Sequence, residues 1–293
     1  MFEAADTPYL VPFDGKFKVA KASTAPPKDA PKKKELEALL EEEVERLAEQ
    51  QEMLYAEDRH SLLVIFQAMD AAGKDGTIGA VFSGINPAGC QVYSFKAPSH
   101  EELDHDFLWR TSRNLPERGR IGIFNRSYYE ETLVVRVHPE FLAGQRLPDL
   151  PKAGKLDQLW KERFESIREH ERHLARNGVV ILKFFLHVSK EEQKQRFLAR
   201  LDEPSKNWKF NAGDIEERQH FDEYMAAYQE TLAATSRPWA PWYCIPADSK
   251  RYMRWQVAKT VSASLQKMGL RFPEVTAEER ARFDELRARL ENE

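Results

Sequence analysis

Residues 61–77 read SLLVIFQAMDAAGKDGT, and this stretch decides the fold. Ser61 to Gln67 is an unbroken apolar run of strand length, and the glycine-bearing segment after it passes into a helical pattern through Ile78, Val81 and Phe82. A continuously apolar strand that feeds a turn and then a helix is how the strands of a parallel sheet read, because both faces of such a sheet are covered. Further strands are expected at 91–95, 121–124, 179–186 and 242–246, separated by helical stretches near 101–113, 127–137, 156–176, 189–202, 214–236 and 249–268. That alternation predicts an α/β fold of three layers around a mainly parallel sheet. Upstream, Leu36, Leu40, Val44, Leu47 and Leu54 are spaced by threes and fours, one face of a helix that turns to the core and is too short for a zipper.

The flanks read differently. Residues 1–34 carry five prolines and the run Lys28-Asp29-Ala30-Pro31-Lys32-Lys33-Lys34, which predicts a solvated arm extended on the surface, with a basic binding element as the alternative. The tail 271–293 is a charged helix whose Thr276 and Glu279 are spaced as a capping box. Between them lies one domain, 35–270. The 293 residues are 42% hydrophobic and 11% aromatic, enough for a large core, which excludes disorder for most of the chain. Charged residues make up 31% with a net charge of −4, so no global field draws the protein to nucleic acid or to an anionic membrane, and any polyanion site must be a local concentration of Lys and Arg. Cys90 and Cys244 sit in separate apolar runs without a ligand pair, which predicts no disulfide and a reducing compartment. With no signal-peptide pattern and no membrane-length apolar run, the expected location is the cytoplasm.

Ala68-Met69-Asp70-Ala71-Ala72-Gly73-Lys74-Asp75-Gly76-Thr77 stands where a phosphate loop should stand, at the exit of a strand and the entry to a helix. Gly73 and Gly76 suit close backbone approach, Lys74 would reach the transferring phosphoryl group, and Ala71, Ala72, Asp75 and Thr77 complete the cradle. Two departures from GxxxxGK[ST] matter: Ala68 replaces the first glycine and Asp75 the hydroxyl residue that usually holds magnesium. Asp70 is the candidate metal ligand instead, since Mg²⁺ (or Mn²⁺) takes one or two carboxylates together with phosphate oxygens and water. The competing reading is a fortuitous turn with Asp70 on the surface. A second constellation, GIFNRSYYEE at 122–131, again follows a strand. It would aim Asn125 and the planar cation of Arg126 at the same crevice, with Glu130 in reach of metal or water, unless NRS merely caps a helix. On the helix from Ser189, Arg196 and Arg200 share a face and lead into DEPSKNWKF, where Lys206 and Lys209 read as the cations of a lid over about 202–236. The alternative pairs Arg196 and Arg200 with Glu192 and Asp202 on a solvated helix. Trp208 is read as a packing anchor, Arg168, Arg172 and Arg176 as an ion-paired helix surface, and His170 with His173 as lacking a third metal ligand.

The segments VIFQAMDAAGKDGTI, GIFNRSYYEETLVVRV, ILKFFLHVSKEEQKQRFLARLDEPSKNWKF and APWYCIPADSK resemble, in order and spacing, the signature blocks of the family-2 polyphosphate kinases, over roughly residues 35–270. The resemblance implies a fold similar to thymidylate kinase with a mobile lid. It implies inorganic polyphosphate as donor, an adenine nucleotide as acceptor, and a homo-oligomer, dimer or tetramer. Asp70 and Lys74 match the family's magnesium ligand and catalytic lysine, Arg126 its second-motif arginine, and Arg200, Lys206 and Lys209 its recurring lid cations. Asn125 and Glu130 look like the subgroup that accepts AMP as well as ADP, because ADP-restricted members tend to carry asparagine at the position of Glu130. Two rivals stay open: an ATP-dependent nucleoside monophosphate kinase, and a nucleotide- or polyphosphate-binding regulator without turnover.

Overall fold

The computed structural model describes residues 3–150 and 155–293. Strands β1 (Ser61–Gln67), β2 (Cys90–Ser94), β3 (Ile121–Asn125), β4 (Val179–His187) and β5 (Trp242–Pro246) form one sheet in the order β2-β3-β1-β4-β5. Every pairing is parallel. All seven residues of β1 are buried, as a central strand covered on both faces requires. The helices that build the outer layers are α1 (Lys33–Glu57), α2 (Lys74–Val81), α3 (Asp157–Arg176), α4 (Lys190–Asp202), α5 (Phe221–Thr235) and α6 (Lys250–Lys267).

Alternation along the strands sorts those layers. Lys183 and Trp242 are register partners and face α3 and α5, where they meet Glu171 and Thr235. Their neighbours Phe184 and Tyr243 face the other way, towards Ser264 of α6, on which α1 packs. The expected three-layer parallel α/β fold is therefore the observed one. In the first layer Lys183 and Glu171, both wholly buried, form an ion pair at 2.7 Å that also takes the hydroxyls of Tyr128 and Tyr129.

Three stretches differ from expectation. The helix expected at 127–137 breaks into a 3₁₀ turn, Tyr128–Thr132, and the short helix Val134–Val137, because Ser127 caps the turn and its backbone is extended. That at 101–113 divides into His100–Leu103 and Trp109–Ser112. The arm, whose first two residues lie outside the described residues, is exposed over much of its length but is docked on the domain rather than solvated throughout. It pairs antiparallel with β5 at Leu10 and Tyr243, the Val11 N–H donates to the Trp242 carbonyl, and Ala5, Val11 and Val19 are buried. Tyr9, Leu10 and Val11 cover part of the open edge of β5 through these backbone bonds, an unpaired edge being a liability. Beyond the domain, α7 (Ala277–Glu291) starts at the expected Thr276–Glu279 capping box and is exposed throughout. No helix among the described residues is long and apolar enough to cross a membrane, and the two cysteines are unpaired.

Candidate active site

The ends of β1 and β3 meet at the site. After Gln67 the chain turns through Ala71 at φ +62° and Gly73 at φ +104°, then enters α2 at Lys74. Gly73 has the left-handed backbone that glycine tolerates, and a Cβ there would stand 3.4 Å from Met253. The loop is held from above by α4. Arg196 donates to the carbonyls of Ala71, Ala72, Ala247 and Asp248 and pairs with Glu192, while the Gln193 amide donates to the Asp70 carbonyl. Arg196, expected as a polyphosphate cation, does line the cleft, and its largely buried guanidinium is at the same time engaged by these four carbonyls. Its pairing with Glu192 matches the competing reading, but inside the protein rather than on a solvated helix.

Lys74 donates from Nζ to the carbonyl of Ala68 at 3.0 Å, which folds the side chain back over the loop. Desolvation there lowers its pKa and Arg126 lowers it further, while Asp70, Glu130 and Asp75 oppose both. Arg126 takes a left-handed backbone, φ +66°, with its N–H on the Phe66 carbonyl. That turn carries its guanidinium to Asp70 at 2.9 Å and Glu130 at 3.4 Å, and the Glu130 charge is the main reason its pKa is raised. Glu130 also accepts from the Gln67 amide at 2.8 Å. Asn125 donates to Asp75 at 2.5 Å, so Asp75 is engaged by a side chain. Ala72 and Thr77 are fully buried, and the Thr77 hydroxyl donates to the Gly73 carbonyl, which removes both from the wall of the cleft.

Two cavities adjoin here. A cleft of about 770 Å³ is lined by Asp70, Ala71, Gly73, Lys74, Asp75, Gly76, Asn125 and Arg126 on one side and by Arg200, Lys206 and Lys209 on the other. Lys96, Lys250 and Arg254 join them, three cations that the sequence reading missed. A signal existed: Lys96 and Lys250 lie just beyond the C-terminal ends of β2 and β5, where ligand sites of open α/β sheets gather, and Arg254 follows Lys250 by one helical turn. The second cavity, about 330 Å³, contains Leu133, Val134, Tyr224 and Tyr228 together with Glu130, Asp214, Glu216 and Glu217. Asp70 and Arg126 border both. One cavity is strongly cationic, the other aromatic and acidic, and the Arg126–Asp70 pair is their common wall.

The lid divides. Residues 203–220 form 3₁₀ and short helical turns, including Pro204–Lys209 and Ala212–Glu217, whereas α5 is built into the core through Phe221, Tyr224, Tyr228 and Leu232. Arg200 pairs with Asp214 at 2.8 Å rather than with Asp202, and Lys206 with Glu203 at 2.5 Å. Trp208 is 78% exposed, so it is no packing anchor; Lys209 lies over its ring. Arg168 and Arg172 face Ala234 and Trp239, outside the cleft. No trio of His, Cys, Asp or Glu able to hold a metal by itself exists among the described residues. A magnesium ion needs less, one or two carboxylates plus phosphate oxygens and water, and Asp70, with one oxygen on Arg126, has the donor chemistry to supply that carboxylate.

The chain matches the Polyphosphate kinase 2 family over residues 30–273. It is 55% identical, over 252 residues and 86% of each chain, to the ADP-polyphosphate phosphotransferase of Rhodopseudomonas palustris. It is 47% identical, over 78% of its own length and 80% of the relative's, to the AMP/ADP-polyphosphate phosphotransferase of Meiothermus ruber. Among solved structures it is similar to polyphosphate kinase 2 from Arthrobacter aurescens TC1, with a TM-score of 0.83, 36% identity and coverage of 97% of this chain and 99% of that one. A family match across most of the chain, two relatives of high identity and a shared fold agree, and the chain belongs to the polyphosphate kinase 2 family.

Proposed function

We propose that the chain transfers a phosphoryl group from inorganic polyphosphate to AMP or ADP, with the donor in the cationic cleft and the nucleoside end of the acceptor in the second cavity. The observation that carries this division is the contrast between the cavities across the Arg126–Asp70 wall. A chain of phosphates is stabilised among Lys74, Lys250, Arg254 and the lid lysines and repelled by Glu130, Asp214 and Glu217, whereas a nucleoside finds the rings of Tyr224 and Tyr228.

Phosphoryl transfer needs positioning and charge neutralisation more than covalent chemistry. A terminal oxygen of the acceptor attacks the end phosphorus of the donor in line; the new P–O bond forms as the bridging P–O bond to the remaining chain breaks, and the shortened chain leaves with the electron pair. Lys74 and Arg126 stabilise the equatorial oxygens from fixed positions, so little reorganisation accompanies the step. Asp70 would hold Mg²⁺, which when bound offsets charge on the phosphates. One phosphoanhydride replaces another, so the reaction runs in both directions.

The test is product formation from AMP and from ADP with long-chain polyphosphate as sole donor and no ATP present. ADP and ATP are the expected products. Turnover only with ATP as donor would establish the nucleoside monophosphate kinase instead, and tight binding of both substrates without product would establish the regulator.

A further inference from the structure

The basic run Lys32-Lys33-Lys34 has no part in the cleft, yet it lies beside it. Lys33 and Lys34 open α1, and one turn on Glu37 accepts from Arg251 Nε at 2.8 Å, with the charges of both lysines also bearing on that carboxylate. Arg251 belongs to the first turn of α6, and Arg254 follows it at i+3 on the same face. Arg254 is already in the wall of the cleft, its buried Nε has no partner, and the charge acting on it is that of Arg251, of like sign. On α2, Gly76 and Gly79 are exposed, with the exposed Asp75 before them. A Cβ on Gly76 would stand 3.0 Å from Arg254 Nη2, and one on Gly79 would meet nothing within 4 Å. At Gly76 the helix backbone therefore faces an arginine of the cleft wall, and from Arg254 the cations Arg251, Lys33 and Lys34 continue around Glu37.

The cations are also placed against local preference. Both α1 and α6 begin with basic residues at the positive end of the helix dipole, and neither N-cap side chain makes a capping bond. Each such placement is unfavourable, and Glu35 and Glu37 offset only part of it. Local rules broken together in one place point to a site whose ligand restores the balance.

We propose that Arg254, Arg251, Lys33 and Lys34 form a distal track for linear polyphosphate, which leaves the cleft past Gly76 and Gly79 and runs to the start of α1. Chain length is read there, outside the cleft. The proposal rests on the reading of the cleft as the donor site.

The variant Lys33→Glu/Lys34→Glu tests it, since acidic residues suit the first turn of a helix and α1 keeps its fold. Binding of labelled long-chain polyphosphate and of tripolyphosphate is titrated against salt, which needs no turnover. Affinity for the long chain is expected to fall about tenfold at low salt, with the slope of log K against log salt shallower by at least about one unit, as loss of two phosphate contacts requires. Tripolyphosphate binding stays as in the wild type, and Lys33→Arg/Lys34→Arg restores the long-chain affinity. Unchanged long-chain affinity, or an equal loss for both chains, overturns the track. Wild-type protein that binds the long chain but phosphorylates neither AMP nor ADP overturns the activity and leaves the track to be judged on binding; wild-type protein that binds neither chain overturns both.

Discussion

Arg126 shows how much of the chemistry rests on single side chains. Its positive φ is uncommon for a residue with a Cβ, and it is this backbone that carries the guanidinium over Asp70 and Glu130 rather than along β3. Lys74→Ala removes a cation from the transferring group and Asp70→Asn the candidate metal carboxylate; each is expected to lower kcat/KM by at least ~10²-fold while the circular dichroism spectrum and Tm stay near wild type. Near-normal turnover in either variant would mean that the chemistry lies in another loop. Glu130 bears on the acceptor. Its carboxylate in the second cavity repels a more highly charged nucleotide, so Glu130→Asn is expected to shift the kcat/KM ratio from AMP towards ADP. An unchanged ratio removes Glu130 from the specificity argument.

At the scale of elements, the sequence was legible wherever local chemistry and tertiary position agree. The apolar run of β1 and the turn after it put Asp70, Gly73 and Lys74 at a strand end, where they line the cleft, because a buried parallel strand and the turn that follows it are both local patterns. Arg196 lines the cleft as its spacing to Arg200 suggests, but that spacing says nothing of the four carbonyls that also meet it from the phosphate loop and from the turn after β5. The docking of the arm escaped for a similar reason, since its partner β5 is more than 200 residues away. The lid cations Lys206 and Lys209 line the cleft from the turn Pro204–Lys209, Lys206 paired with Glu203 and Lys209 over the Trp208 ring. Replacing both by Ala is expected to raise the donor KM for long polyphosphate and to flatten its salt dependence, with the acceptor KM less affected, since the proposed acceptor cavity lies across the Arg126–Asp70 wall. A double variant with the wild-type donor KM and salt slope would show that the lid lysines are bystanders.

The molecule as a whole is tied together by a pair that no motif announced. Lys183 stands in the middle of the apolar run of β4 and Glu171 on α3, and around them Tyr128, Tyr129 and the Thr235 carbonyl satisfy the remaining donors and acceptors, so four elements converge on one buried charge pair. Burial pushes the Lys183 ammonium down to about 8 and the Glu171 carboxyl up, each restrained by its partner. Removing one partner leaves the other alone in the core, at a cost of about 3–5 kcal/mol. The two single variants should then respond to pH in opposite senses. In Lys183→Met, Glu171 holds a proton in the folded state that it loses in the unfolded one, so stability is greatest below the ordinary carboxylate range and falls as pH rises through the raised folded value. In Glu171→Gln, Lys183 loses its restraint and its pKa drops further. The unfolded chain then binds the extra proton, and stability rises with pH until the ordinary lysine value near about 10.4 is reached. Thermal unfolding from about pH 5 to about pH 9 should therefore show Tm falling for Lys183→Met and rising for Glu171→Gln relative to wild type, while the double variant Lys183→Met/Glu171→Gln loses both slopes. Parallel Tm profiles for the two single variants would mean that each lone group is hydrated in the folded state and titrates as it does in the unfolded chain, so that its burial does not govern its charge.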